Sequence, residues 1–192
     1  MLEEKGLAES TIVIFASDNR PVNTDGYEDG TTVLTSTKES DRGHDGSGPY
    51  RGGKYQIYEG GTRVPLIIRW PGKVPAGLVS NGIFDGMDWM PTLVAAAGGP
   101  DNLPEALLAG HEGYQVHLDG YNQVDMLTEK GESNRKEIYY YERDKLQAVR
   151  IGDWKAHFVV QNHGWSGPKE ELNAPLLFNL RRDPYERAAE ES

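Results

Sequence analysis

The chain of 192 residues carries 30 acidic and 20 basic side chains and no cysteine. Its formal net charge of −10 disfavours nucleic acid and anionic membrane as partners, and the missing cysteines exclude a disulfide, a thiol nucleophile or a thiolate metal site. At 37% hydrophobic and 26% charged residues it has the composition of a globular protein with one core, or a core and a small subdomain, and no apolar stretch approaches the roughly 20 residues of a membrane span.

Residues 1–10 are expected to be the end of an amphipathic helix closed at Gly6, the usual residue for a left-handed cap. Residues 12–16 are an uninterrupted, β-branched apolar run, which predicts a strand covered on both faces, as in parallel sheets. The run stops at Ser17-Asp18-Asn19, two oxygen-bearing side chains past the carboxyl end of a strand, where open α/β sheets gather ligands. A carboxylate and an amide oxygen suit a hard cation; the same dipeptide also ends strands as an ordinary turn.

Residues 20–53 lack periodicity and read as a long surface loop, with a short strand near 32–34 and with His44 and Asp45 as solvated loop residues. Two glycine pairs, Gly52-Gly53 and Gly60-Gly61, bracket Lys54 and permit close backbone approach, and residues 64–68 predict a second apolar strand. A short segment is expected at 83–87. A helix follows over 88–97, capped by Asp88, with Pro91 in its first turn, Leu93, Val94 and Ala97 facing the sheet, and Trp89 and Met90 as packing residues. Residues 99–137 are loop-rich, with a short helix at 103–108, a tight turn at Asp119-Gly120, and structural roles for His111 and His117, which lack zinc-ligand spacing. Residues 137–142, 146–151, 154–160 and 176–180 predict an antiparallel sheet, with Gly152-Asp153 as a two-residue type II′ hairpin turn.

The order Ser17-Asp18-Asn19, Gly48-Pro-Tyr-Arg-Gly-Gly-Lys54 and Tyr58-Glu-Gly-Gly-Thr-Arg-Val-Pro65 resembles the second half of the sulfatase family. The likeness continues through Arg69-Trp-Pro-Gly-Lys73, Met87-Asp-Trp-Met-Pro-Thr-Leu93, Val116-His-Leu-Asp-Gly-Tyr-Asn122, Arg150-Ile-Gly-Asp-Trp-Lys155 and Leu177-Phe-Asn-Leu-Arg-Arg-Asp-Pro-Tyr-Glu186, most like the bacterial arylsulfatases. It implies an α/β fold: part of an alkaline-phosphatase-like core sheet over residues 1–128 and a small antiparallel C-terminal subdomain over 129–192. It implies further that Asp18 and Asn19 match the later pair of calcium ligands, Ca²⁺ being expected over Mg²⁺, and that Lys54 matches the lysine that contacts the substrate sulfate. Arg20 departs from the pattern, standing where the family usually has glycine.

Ser47-Gly-Pro-Tyr-Arg51 fits the family's Cys/Ser-x-Pro-x-Arg nucleophile motif literally, but it follows the metal-ligand strand and runs directly into Gly52-Gly53-Lys54. It is therefore rejected, and no catalytic residue is assigned in this chain; Ser166-Gly-Pro-Lys169 is a weaker lookalike, with Glu170 in place of the arginine. By the resemblance, the formylglycine nucleophile and the first acidic metal ligands belong upstream of Met1, so the start is expected to be a truncation inside a helix, and further sequence is expected after the end. The implied partners are a sulfate ester substrate and the missing N-terminal sulfatase half; the implied location is periplasmic or secreted. A sulfuric ester hydrolase and a non-catalytic sulfatase-like binding module both remain open at this point.

Overall fold

The computed structural model describes residues 1–20, 47–110, 112–162 and 167–188. In chain order its elements are β1 (Val13–Ala16), α1 (Glu59–Thr62), β2 (Leu66–Arg69), α2 (Trp89–Ala96), α3 (Leu103–Ala109), α4 (Val124–Leu127), β3 (Glu137–Glu142), β4 (Lys145–Ile151), β5 (Trp154–Val160) and β6 (Glu170–Asn179). β1 and β2 pair in a two-stranded sheet, and the other four strands form a separate sheet in the order β3-β4-β5-β6. The chain divides into two interleaved compact units, one of Met1–Ile14 with Ile67–Ile138 and one of Phe15–Leu66 with Tyr139–Ser192.

In the first unit, residues 2–6 form a turn rather than the expected helix end, but Gly6 takes φ +67° and the bonds Gly6 N to Glu3 O and Leu7 N to Leu2 O close it in the Schellman pattern, so the left-handed glycine stands where it was expected. Arg69 reaches back to this segment, donating to Ala8 O at 2.7 Å and to Glu9 at 3.1 Å. The unit's polar centre is Asp88, which was expected to cap α2. Asp88 does stand at the N-cap position of α2, but its side chain makes no cap bond there; Asp85 caps the preceding 3₁₀ turn Gly86–Asp88, accepting from Met87 N, while Asp88 returns a bond to Asp85 N and is itself fully buried. Arg135, Gln123 and the Tyr121 amide all donate to its two oxygens. A carboxylate enclosed by so many donors is held in place as a junction and is not available to cap the amides of α2.

The buried face of α2 differs from expectation for the same reason. Pro91 and Thr92, beside Asp88, are buried, whereas Leu93 is 40% exposed. Trp89 packs on Phe84 at 4.5 Å between ring centroids, as a packing residue should, but Met90 is exposed. Asp119-Gly120 forms no tight turn: the segment is irregular, and a Cβ on Gly120 would overlap the Met87 carbonyl, so glycine is needed there for close approach. α3 covers the helix expected at 103–108, capped by Asn102, and the one-turn α4 was not anticipated.

The second unit is built on the antiparallel sheet. Gly152 at φ +55° and the pairing of Ile151 with Trp154 close the expected two-residue hairpin. β6 begins six residues earlier than the strand expected at 176–180, because a register irregularity between His157 and Val159 lets its first part pair with the end of β5. One face of the sheet carries Ala148, Lys155, His157 and Phe178, all at most 2% exposed. The strand expected at 64–68 starts at Leu66 because Pro65 has no N–H to give a ladder. Among the described residues β1 and β2 are not covered on both faces: Val13 is 41% exposed, Phe15 63% and Ile67 64%. Double coverage needs layers on both sides of a sheet, and among the described residues β1 has one neighbouring strand.

Candidate functional site

β1 ends at Ala16, and Ser17 Oγ donates to Asn19 O at 2.7 Å, bending the chain immediately after the strand. Asp18 is left exposed and Asn19 half-buried. Among the described residues neither side chain has a hydrogen-bond or ion-pair partner. One carboxylate and one amide oxygen without internal partners fit the donor chemistry of a hard cation, although no group of three or more His, Asp and Glu side chains that could hold a metal converges among the described residues.

Arg20 ties this bend to α1. Its Nε donates to Gly60 O at 3.1 Å and an Nη to Ser47 O at 2.9 Å. The departure from glycine thus supplies a clamp, and the same Gly60 carbonyl also accepts the Ser47 hydroxyl at 3.3 Å. Ser47 is 4% exposed, which is poor placement for a nucleophile.

Lys54 lies in the loop between Arg51 and α1. Gly60 N donates to Arg51 O at 2.7 Å, Gln56 N to Gly53 O at 3.0 Å, and Gly53 N to the Gln56 side chain at 3.0 Å. A Cβ on Gly60 would overlap the Arg51 and Gly52 carbonyls, and one on Gly61 those of Gly53 and Gln56. Both glycines are therefore required by backbone packing of α1 against the loop. The Lys54 ammonium sits 5.5 Å from the Tyr55 ring centroid and has no carboxylate partner among the described residues. An unpaired ammonium on a braced loop is a suitable anion contact.

Behind the loop lies a buried charge cluster that the sequence did not disclose. Lys155 Nζ is 3.0 Å from Glu59 and 3.3 Å from Glu186, and His157 Nε2 is 2.6 Å from Glu186, with all four side chains at most 4% exposed. Glu186 also accepts the Glu59 amide N–H at 2.5 Å. Burial pushes the His157 ring below its usual value, against the bond from Glu186, and the Lys155 charge lowers it further. Burial pushes the Glu186 carboxyl up, but the His157 bond, the Lys155 charge and the Glu59 amide together outweigh it and hold the group below its usual value. The pair is a carboxylate and a neutral imidazole: Nε2–H donates to Glu186, which leaves Nδ1 as a buried acceptor with no partner among the described residues. The one sequence trace of this cluster is an aromatic residue before each charge, in Tyr58-Glu59, Trp154-Lys155 and Tyr185-Glu186.

His117, given a structural role from its sequence context, is exposed and bonds Asp119 at 2.9 Å. His44, Asp45, His111, Ser166 and the strand expected near 32–34 lie outside the described residues.

An α/β chain that ends a strand on Asp-Asn, braces a Gly-Gly-Lys loop and carries a separate antiparallel sheet has the sulfatase fold. The sulfatase family model matches residues 1–100, the model for the C-terminal region of aryl-sulfatase matches residues 133–190, and the chain belongs to the sulfatase family. It is 34% identical to arylsulfatase A of Homo sapiens, over 94% of this chain and 33% of that protein. It is 32% identical to the arylsulfatase of Hemicentrotus pulcherrimus, over 96% of this chain and 33% of that protein. The solved PsFucS1 sulfatase from Pseudoalteromonas sp. superposes with a TM-score of 0.73 at 33% identity, over 97% of this chain and 34% of that one. The chain thus spans about a third of the length of the relatives it matches.

Proposed function

We propose that this chain supplies the later metal-ligand pair and the sulfate-contacting lysine of a calcium-dependent sulfatase that hydrolyses sulfate monoesters. The observation that carries the reading is the continuous bonding from the Asp18–Asn19 bend through Arg20 and Gly60 to Arg51, at the root of the Lys54 loop. It makes the strand end and the loop parts of one braced unit.

Asp18 and Asn19 would hold the cation, whose charge polarises sulfate oxygens when bound. They are two ligands of the about six to eight that calcium takes, so the remainder comes from residues outside this chain, from substrate or from water. The Lys54 ammonium balances sulfate charge that a metal neutralises only in part. Lys54 needs no proton transfer for this role, since it acts as a fixed positive charge. The nucleophile, a formylglycine by family, is not assigned to any residue here.

The test is to join the chain to the upstream part of a sulfatase that carries the nucleophile motif. Asp18→Ala should weaken both calcium affinity and turnover, whereas Lys54→Ala should lower turnover or raise KM and leave calcium affinity nearly unchanged. Calcium binding by Asp18→Ala equal to that of the parent would remove the metal assignment. A joined protein that bound a sulfated sugar through Lys54 with no turnover would favour a non-catalytic module instead.

A further inference from the structure

Glu186 holds both ends of the loop that carries Lys54. Its carboxylate accepts the Glu59 amide N–H at 2.5 Å, at the start of α1, which closes one end. Its main-chain carbonyl accepts Arg51 Nη1 at 3.0 Å, at the other end. Arg51 is fixed further by Asn162 Oδ1 at 2.9 Å and by lying 4.3 Å from the Tyr58 ring centroid. Between the two ends the loop is closed by the bond from Gly60 N to Arg51 O.

The carboxylate is itself anchored from the sheet by His157 Nε2 at 2.6 Å and Lys155 Nζ at 3.3 Å. It is fully buried and stands at φ +55°, a left-handed conformation uncommon for a non-glycine residue. The residues just before and after it are exposed. Tyr185 also lies edge-on to Tyr50 and Arg187 donates to Pro49 O at 3.2 Å, but of these three tail residues Glu186 alone is buried.

We infer that Glu186 is the positioning residue of the Lys54 loop: it clamps Arg51 and Glu59 together and so sets where the Lys54 ammonium stands, without touching substrate. The consequence for sulfate rests on the reading of Lys54 given above; the clamp itself does not.

The experiment uses the 192-residue chain and three proteins: parent, Glu186→Ala and Glu186→Gln. Amide exchange at Gly60 and Gln56 should accelerate by about tenfold or more in Glu186→Ala, as expected for loss of a hydrogen bond to a charged acceptor, while the β4–β5 ladder stays within about twofold. Glu186→Gln keeps an oxygen for the Glu59 amide and should recover much of that protection. Unchanged exchange at Gly60 and Gln56 overturns the inference. Inorganic sulfate is then titrated while the Lys54 side-chain NMR signals are followed. A parent that responds and a Glu186→Ala variant that responds with weaker affinity support the clamp, and equal affinities overturn it. A parent that does not respond removes the sulfate role of Lys54, and exchange then decides the clamp by itself. Where the variants unfold, native-state exchange of the parent replaces them: Glu59, Gly60 and Gln56 must share one opening equilibrium, and independent openings overturn the inference.

Discussion

Arg135 closes over Asp88 with Nη2 2.7 Å from Oδ1 and Nε 3.0 Å from Oδ2, and the two side chains are 5% and 0% exposed. The guanidinium also donates to Asp119 O and Glu137 O, so one side chain joins α2, the segment before α4 and the start of β3. Truncation as Arg135→Ala leaves a buried carboxylate with its main cation removed, and should cost about 3–5 kcal/mol. Urea unfolding measures it. Arg135→Lys should recover only part, because one ammonium cannot span both oxygens in the plane of the carboxylate. A loss below about 1 kcal/mol for Arg135→Ala, the level of a surface pair, would contradict the buried geometry.

Stability should fall as pH drops below about 6.5, the ordinary His157 value. The folded ring is held below that value, chiefly by burial, so in this window the unfolded chain takes a proton that the folded chain refuses. The loss continues down to the folded pKa and then levels, with a slope approaching about 1.4 kcal/mol per pH unit for one proton. Glu186 acts lower: its folded value is depressed, so its contribution is present above 4.5 and is lost as pH falls through the folded value. His157→Phe should flatten the first phase and also shrink the second, because the His157 bond is the largest of the causes that hold Glu186 down. Urea midpoints between pH 7 and 3 on both proteins separate the phases, and an unchanged upper slope would contradict a neutral, buried His157.

Gly61→Ala should destabilise the chain by about 1–3 kcal/mol or displace the Lys54 loop, because the added Cβ meets two backbone carbonyls and no flexible side-chain end. Gly77→Ala gives the comparison: nothing lies within 4 Å of a Cβ there, but its φ of +77° still strains an L residue, at about 1 kcal/mol. Thermal unfolding of both, with loop amides followed by NMR, checks whether backbone crowding or φ decides.

Ser47→Ala should lose at least its hydrogen bond to the Gly60 carbonyl, about 0.5–1.5 kcal/mol. The purified chain should hydrolyse 4-nitrophenyl sulfate no faster than buffer. Calcium-dependent turnover that Ser47→Ala abolished would make Ser47 a nucleophile despite its burial.

The strands were legible because their signals are local. Residues 12–16 and 154–160 carry their own periodicity, and Gly152 marks its turn by the φ it needs. Asp88 was misread because Asp before a helix is a good cap by local rules, whereas Arg135, 47 residues away, competes for the same carboxylate. Leu93 followed it into error, since the buried stripe of α2 is set by where Asp88 is drawn. At the candidate site, Asp18, Asn19 and Lys54 stood out by type and setting. Arg20, Glu59, Lys155 and Glu186 did not, because a charge held in such a network looks in sequence like any solvated charge, and its partners lie 27 to 127 residues away.

The span between Glu59 and Glu186 has a consequence for biosynthesis. Their bond links positions 127 apart, and ribosomes add roughly 5–20 residues per second. The Gly-Gly-Lys loop therefore waits several seconds, without its clamp, for the far end of the chain to emerge. Closing so long a loop also brings its entropic cost before any return from the contact, which slows the last assembly step. A nascent chain stalled before residue 186 would therefore hold that loop without the bond from the Glu59 amide to Glu186.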